Sequence, residues 1–123
     1  MILLDSSVWM DHLRARVEPV TKRLEQNEIA IHPFVVAEIA LGSIANRARV
    51  LWLLQRLPGV PKAHDDEVLN LIDREKLFGA GIGFVDAHLL ASARLADMPL
   101  WTSDKKLKSV AERLGVAFTT PLH

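Results

Sequence analysis

Residues 1–7, Met-Ile-Leu-Leu-Asp-Ser-Ser, place a short apolar run directly before a carboxylate and two hydroxyl groups. Four apolar residues are too few for a helix, but they suit a strand that is buried on both faces of a parallel sheet. Asp5 then opens a turn, and Ser6 or Ser7 can cap a short helix through Asp11 to Arg14. The segment therefore predicts a buried β-strand that ends in a polar turn.

Short apolar runs and amphipathic stretches alternate along the rest of the chain. Further strands are predicted at 28–32, 60–63, 99–102 and 116–119. The second of these is expected at a sheet edge, because Pro61 has no N–H to donate. Helices are predicted at 19–26, 34–41, 45–57, 65–76, 84–96 and from a Ser103 or Asp104 cap to about 114. This alternation favours an α/β fold, with a parallel sheet between two layers of helices.

The composition of the chain limits its class. Its 123 residues fit one domain, 1–123, which is large enough to form a core without covalent cross-links. Because there is no cysteine, disulfides, thiolate zinc sites and cysteine nucleophiles are excluded, and a cytoplasmic location is expected. The sequence has neither the features of a signal peptide nor the ~20 apolar residues that a membrane span requires. Fifteen basic residues balance fifteen acidic ones, so any site for a polyanion must be local.

Four acidic residues stand in surroundings where a charge is unusual: Asp5, Glu38, Asp86 and Asp104. A carboxylate among apolar residues requires protonation, a cationic partner or a metal ion. Glu38 has no Lys or Arg within several residues, and Asp86 has none before Arg94. If the four acids converge, their repulsion raises their pKa values or demands a divalent cation, and hard oxygen ligands favour Mg²⁺ or Mn²⁺. These four acids are the candidate metal ligands and catalytic residues.

Each acid also has a simpler explanation. Asp5 and Asp104 can be helix caps, and Asp86 can favour the dipole at a helix start. Glu38 can pair with an arginine that is distant in sequence. The joint pattern of the four, and no single member of it, indicates a functional site.

The order of these motifs resembles that of the PIN-domain ribonucleases, and the size of the chain is similar to that of the toxin in VapBC toxin–antitoxin pairs. The motifs are Asp5-Ser6-Ser7, Glu38, Phe84-Val85-Asp86-Ala87 and Thr102-Ser103-Asp104, and the resemblance runs from Ile2 to about Phe118. It implies a three-layer α/β/α fold with about five parallel strands in the order 3-2-1-4-5. That order would place Asp5 beside Asp104.

The resemblance also implies an activity, the metal-assisted hydrolysis of RNA phosphodiesters to a 5′-phosphate and a 3′-hydroxyl. The residues that would hold one or two Mg²⁺ or Mn²⁺ ions, directly or through water, are Asp5, Glu38, Asp86 and Asp104. Ser7 and Thr102 match hydroxyl positions that orient these carboxylates. In the related toxins a segment of a VapB-type antitoxin fills a groove between helices, so such an antitoxin is the implied partner.

Other residues have weaker claims to a function. His12 beside Asp11 and His64 before Asp65 could each bind a metal, but for His64 an exposed helix start is the simpler interpretation. His88 lies about 200° around a helix from Asp86, so we interpret it as structural or as an interface residue. The apolar residues around Trp52 predict contact with another chain, either a second copy in a homodimer or an antitoxin helix.

Basic side chains provide candidates for RNA contact. The set beside Asp104, Lys105, Lys106 and Lys108, is near the proposed metal edge, whereas most other basic residues are interpreted as scattered surface charge.

Two other function classes are considered. The chain could be a non-catalytic PIN-like module that binds a protein or RNA through the same fold. It could also be a phosphoacceptor domain of the receiver type, but residues 29–33 supply no acceptor aspartate at a strand end.

Overall fold

The fold is built on a small parallel sheet. The computed structural model describes residues 1–119, and its strands are β1 (Ile2–Leu4), β2 (Ile29–Ala30) and β3 (Leu100–Trp101). Their order is β2-β1-β3, with β1 parallel to both neighbours. All three residues of β1 are buried, as its apolar sequence predicts for a central strand.

Two further segments extend the sheet by single bridges. Gly59 pairs in parallel with Ile31 beyond β2, and Ala117 pairs in parallel with Leu100 beyond β3. In space the five segments therefore follow the predicted order 3-2-1-4-5.

The outer segments are shorter than predicted. The strand predicted at 60–63 is wrong: the bridge lies at Gly59, and Val60 donates its N–H to the Ile31 carbonyl (3.0 Å) before Pro61 interrupts the pairing. The strand predicted at 116–119 is reduced to the bridge at Ala117.

Seven helices cover the sheet in the described part of the chain. They are α1 (Ser6–Arg14), α2 (Glu18–Glu25), α3 (Pro33–Leu41), α4 (Arg47–Leu54), α5 (Asp65–Arg74), α6 (Phe84–Leu95) and α7 (Lys105–Arg113). Each predicted helix is present, but α4 is shorter than the predicted 45–57: it ends at Leu54, and it begins only at Arg47 because Asn46 has a left-handed backbone (φ 52°). No helix within residues 1–119 has the length and apolar character needed to cross a membrane.

The caps of two helices define the polar edge of the sheet. The side chain of Asp5 accepts the Val8 N–H and begins α1, so the predicted cap at Ser6 or Ser7 is wrong. Asp104 caps α7 by accepting the Leu107 N–H, which is one of the two predicted caps. Since β1 and β3 are parallel neighbours, both caps lie at the carboxyl ends of adjacent strands, where ligands of α/β sheets collect.

The core is continuous and centres on β1 and α6. Residues 87–93 of α6 are all buried, so the middle of this helix is enclosed on every side. α1 contacts β1 and α3, whereas α6 contacts β3 and α5. The acid-bearing helices α3 and α6 are thus held by the same core as the strand that delivers Asp5.

Candidate active site

Asp5 is the most tightly held acid at the polar edge of the sheet. Its side chain is buried, and Oδ1 accepts hydrogen bonds from the Ser7 hydroxyl (2.5 Å) and the Val8 N–H (3.2 Å). Oδ2 accepts a hydrogen bond from the Thr102 hydroxyl (2.5 Å). Both carboxylate oxygens are therefore fixed in position by side chains from two different strand ends.

A second chain of hydrogen bonds connects Asp5 with the end of β3. The Asp5 N–H donates to the Trp101 carbonyl (3.0 Å), which continues the pairing of the two strands. The Asp104 N–H donates to the Thr102 hydroxyl oxygen (3.0 Å), and that hydroxyl donates to Asp5. Asp104 and Asp5 are thus linked through one threonine, although their carboxylates do not share a hydrogen bond.

Glu38 lies in the middle of α3 and is open to solvent. Partial desolvation of its carboxylate raises its pKa, and the negative charges of Asp86 and Asp5 raise it further, whereas the nearby Ser6 hydroxyl lowers it. Asp86 and Asp5 are thus the acids that act electrostatically on Glu38. Glu38 forms no ion pair within residues 1–119, so the simpler explanation of a distant arginine partner has no support there.

Asp86 and Asp104 share one arrangement at helix starts. Asp86 Oδ2 accepts the Gly83 N–H (3.0 Å) in the first turn of α6, and Asp104 Oδ1 accepts the Leu107 N–H (3.0 Å). Each carboxylate keeps a second oxygen that accepts no hydrogen bond from the described residues. Both acids therefore accept a backbone N–H at the start of a helix, and this leaves one oxygen of each carboxylate available for a ligand.

The electrostatics at Asp5 are those of a site that lacks positive charge. Burial raises the pKa of the Asp5 carboxyl, and the charge of Asp86 adds to this effect, while the hydrogen bonds from Ser7, Thr102 and Val8 oppose it. No Lys, Arg or His within residues 1–119 forms an ion pair with Asp5, Glu38 or Asp86. A divalent cation would relieve this repulsion.

The structure brings the predicted acids together to different degrees. The charge of Asp86 raises the pKa values of Asp5 and Glu38, and the charge of Asp5 raises that of Glu38, but Asp104 is not among the charges that act on either group. Among the described residues, no three His, Asp or Glu side chains lie close enough to form a ready-made metal site. The four-carboxylate ligand set therefore stays a prediction.

Three polar residues to which the sequence analysis assigned no role at this site belong to the network. Ser103 donates from its backbone N–H to the Ser7 hydroxyl (3.0 Å) and from its hydroxyl to Asp11 (2.9 Å), and Ser6 lies near Glu38. The paired serines at 6–7 and the Thr-Ser-Asp run were the only local signals. The contact of Ser103 with Asp11 depends on the pairing of β1 with β3.

The competing histidines have structural roles. His12 Nδ1 accepts the Val17 N–H (3.1 Å), and His64 begins α5 with its N–H bound to Glu67 (2.9 Å). His88 is fully buried, with Nε2 3.2 Å from Asp65 Oδ1. This confirms the structural interpretation of His88 and of His64 as a helix end.

Comparisons with known proteins agree with the fold. The chain matches the family described as PIN domain over residues 2–113. It is 48% identical over 118 residues to Ribonuclease VapC32 of Mycobacterium tuberculosis, in each of two strains, and the match covers 95% of both chains. The crystal structure of PAE2754 from Pyrobaculum aerophilum is similar with a TM-score of 0.66 at 21% identity, over 95% of this chain and 87% of that one. The predicted three-layer α/β/α fold is confirmed.

Proposed function

Because this chain belongs to the PIN-domain family, we propose that it is a metal-dependent endoribonuclease and the toxin of a type II toxin–antitoxin system. One observation carries the proposal. Asp5 is buried with hydroxyl donors on both oxygens, the charge of Asp86 raises the pKa values of both Asp5 and Glu38, and none of these three acids pairs with a cation among residues 1–119. The relatives named Ribonuclease VapC32 support the same activity.

The donor set fits a hard divalent cation. The proposed ligands are all carboxylates: Asp5, Glu38, Asp86 and Asp104. Oxygen donors of this kind favour Mg²⁺ or Mn²⁺ over softer metals. When bound, such an ion lowers the pKa of a water molecule and neutralises charge that develops on the phosphate.

The side chains of the protein fix the orientation of the Asp5 carboxylate and supply the negative charge of the site. The hydroxyls of Ser7 and Thr102 hold the Asp5 carboxylate from both oxygens, so that it keeps one orientation. Glu38 is exposed, so water and RNA can reach its carboxylate. Water adds to the phosphorus as the bond to the 3′ oxygen breaks, which leaves a 5′-phosphate on one product and a 3′-hydroxyl on the other.

The proposal includes a VapB-type antitoxin and a homodimer in the cytoplasm. α4 exposes Trp52 and Leu53, and a cavity of about 410 Å³ beside it is lined mostly by apolar residues, among them Trp9, Leu13 and Leu57. An exposed apolar surface of this kind is typical of protein-interaction sites. We therefore assign partner contact to this face of the protein.

A cleavage assay on single-stranded RNA tests the activity. The wild-type protein should cut RNA in Mg²⁺ or Mn²⁺ and lose this activity in EDTA. Asp86→Asn should lower the cleavage rate by more than about tenfold, because one charge of the ligand set is removed. Asp73→Asn, an exposed acid in α5, is the matched control and should cut like the wild type. Cleavage that is equal in EDTA, or equal in the Asp86 variant, would contradict the proposal.

Substitution of Thr102 tests whether its hydroxyl orients the Asp5 carboxylate. Thr102→Val removes the hydroxyl that donates to Asp5 and accepts from Asp104 but keeps the side-chain shape, so kcat should fall about 10- to 100-fold. Thr102→Ser restores the hydroxyl and should recover most of the rate. The measurement is kcat and KM for both variants. A serine variant as slow as the valine variant would show that the hydroxyl does not orient the site.

A non-catalytic protein- or RNA-binding module is the second candidate. It is favoured by the lack of a ready-made three-ligand metal group among residues 1–119. Calorimetric titration of the free protein with Mn²⁺ separates the two. Binding that Asp5→Asn abolishes supports the enzyme, and no binding supports the module.

A further inference from the structure

A basic groove borders the acidic site and takes no part in the function described so far. It has a volume of about 450 Å³ and lies between α7 and the segment that connects α5 with α6. Its charged lining residues are Lys76, Lys105, Lys106 and Arg113. We name this feature the α7 groove.

The α7 groove concentrates positive charge in a protein whose net charge is zero. Among residues 1–119, no acidic side chain lines it. None of its four cations forms an ion pair within residues 1–119. All four side chains are exposed, so they can reach an anion larger than the groove itself.

Two of these lysines are at positions where a positive charge does not stabilise the fold. Lys105 and Lys106 occupy the first turn of α7, and positive charge at a helix start opposes the helix dipole. A stable helix is better served by acids at these positions, as α5 has at 65–67. The lysines are therefore better explained by an anionic ligand than by stability.

The α7 groove begins at the acidic site. Lys105 follows Asp104 directly, and the Lys106 side chain lies so close to Gly81 that a Cβ there would be 2.7 Å from Lys106 Cδ. Two residues after Gly81, the Gly83 N–H binds Asp86. The far end of the groove is marked by Arg113, about 10 Å along the helix axis from Lys106.

We propose that the α7 groove binds the phosphodiester backbone of the RNA strand that leads away from the acidic site. The inference rests on the proposed ribonuclease function and assigns its substrate-binding surface. A row of exposed cations beside a carboxylate site suits a ligand that is anionic along its length, and a strand of RNA carries one charge per nucleotide. The contacts reach phosphates and not bases, so this surface adds affinity with little sequence preference.

Binding measurements in EDTA test the groove without requiring cleavage. The ligand is a single-stranded RNA oligonucleotide, and the variants are Lys76→Gln and Arg113→Gln, which lie away from the four acids. Each should weaken binding about fivefold at 0.1 M salt, because one phosphate contact on a single strand contributes about 0.7 to the slope of log K against log salt. The salt slope itself should fall by about 0.7 for each variant. When cleavage is measured in Mg²⁺ or Mn²⁺, the same loss of affinity should appear as a higher KM for RNA.

Lys22→Gln is the matched control, since Lys22 is an exposed lysine of α2 that is not among the groove residues. Its dissociation constant and salt slope should equal those of the wild type. Equal losses in all three variants, or no loss in Lys76→Gln and Arg113→Gln, would overturn the inference while leaving the cleavage assay to decide the ribonuclease function separately. A poly-glutamate peptide serves as a second ligand in the same binding measurements. If Lys76→Gln and Arg113→Gln lose affinity for this peptide but bind RNA like the wild type, the groove binds protein and the inference is wrong.

Discussion

Replacing Asp5 by asparagine should lower kcat/KM for RNA cleavage by at least about 100-fold in a protein that stays folded. Asparagine keeps a carbonyl oxygen that can accept the Val8 N–H and the Ser7 hydroxyl, so the cap of α1 is retained. The substitution removes the one buried negative charge of the site. Metal-assisted stabilisation of a phosphoryl transition state contributes several kcal/mol, and about 2.7 kcal/mol corresponds to 100-fold.

Thermal unfolding with and without metal shows whether that loss comes from the ion. Mg²⁺ or Mn²⁺ should raise the Tm of the wild-type protein, because an ion that binds only the folded state stabilises it. The increase should disappear in Asp5→Asn and persist in Asp66→Asn, which removes an exposed acid of α5. If Asp5→Asn cleaves RNA like the wild type, or gains as much stability from the metal, Asp5 is a helix cap and nothing more.

The position of Asp5 was predictable because its signal is local. An apolar run that stops at a carboxylate marks the strand end at Asp5, and a short apolar run followed by the polar residues Thr102, Ser103 and Asp104 marks the end of β3. Parallel pairing then brings both strand ends to one edge of the sheet without any knowledge of side-chain contacts. The resemblance to the PIN family added the order of the strands.

Contacts between distant segments were not predictable from the residues alone. The hydroxyl of Thr102 reaches Asp5 across 97 residues of sequence. The proximity of Glu38 to Asp86 depends on how α3 and α6 sit in the core, which no local pattern encodes. The predicted bounds of the two outer strands were inaccurate for a related reason. Each outer segment pairs with the sheet through a single bridge, and so short a pairing leaves no sequence periodicity from which its ends can be read.

Acidification should destabilise the protein through His32, a buried residue outside the acidic site. Its Nδ1 accepts the Phe34 N–H (2.9 Å) at the start of α3. Burial lowers the pKa of His32 from 6.5 to about 4, with further contributions from His88 and Lys62. Between those two pH values the unfolded chain binds a proton that the folded protein does not, so stability falls as pH falls. The loss from this residue should reach about 2 kcal/mol by pH 5, or on the order of 6–10 °C in Tm.

The variant His32→Asn isolates this contribution. Asparagine is a favoured cap and can accept the Phe34 N–H, but it does not titrate, so the fall in Tm between pH 7 and pH 5 should shrink by the amount given above. Asp5 and Glu38 act in the opposite direction, because their pKa values are raised and their protonation stabilises the folded protein in acid. The difference between variant and wild type therefore measures His32 more cleanly than the wild-type curve does. His64→Asn, an exposed histidine, should follow the wild type, and a His32→Asn curve parallel to both would show that the buried ring does not resist protonation.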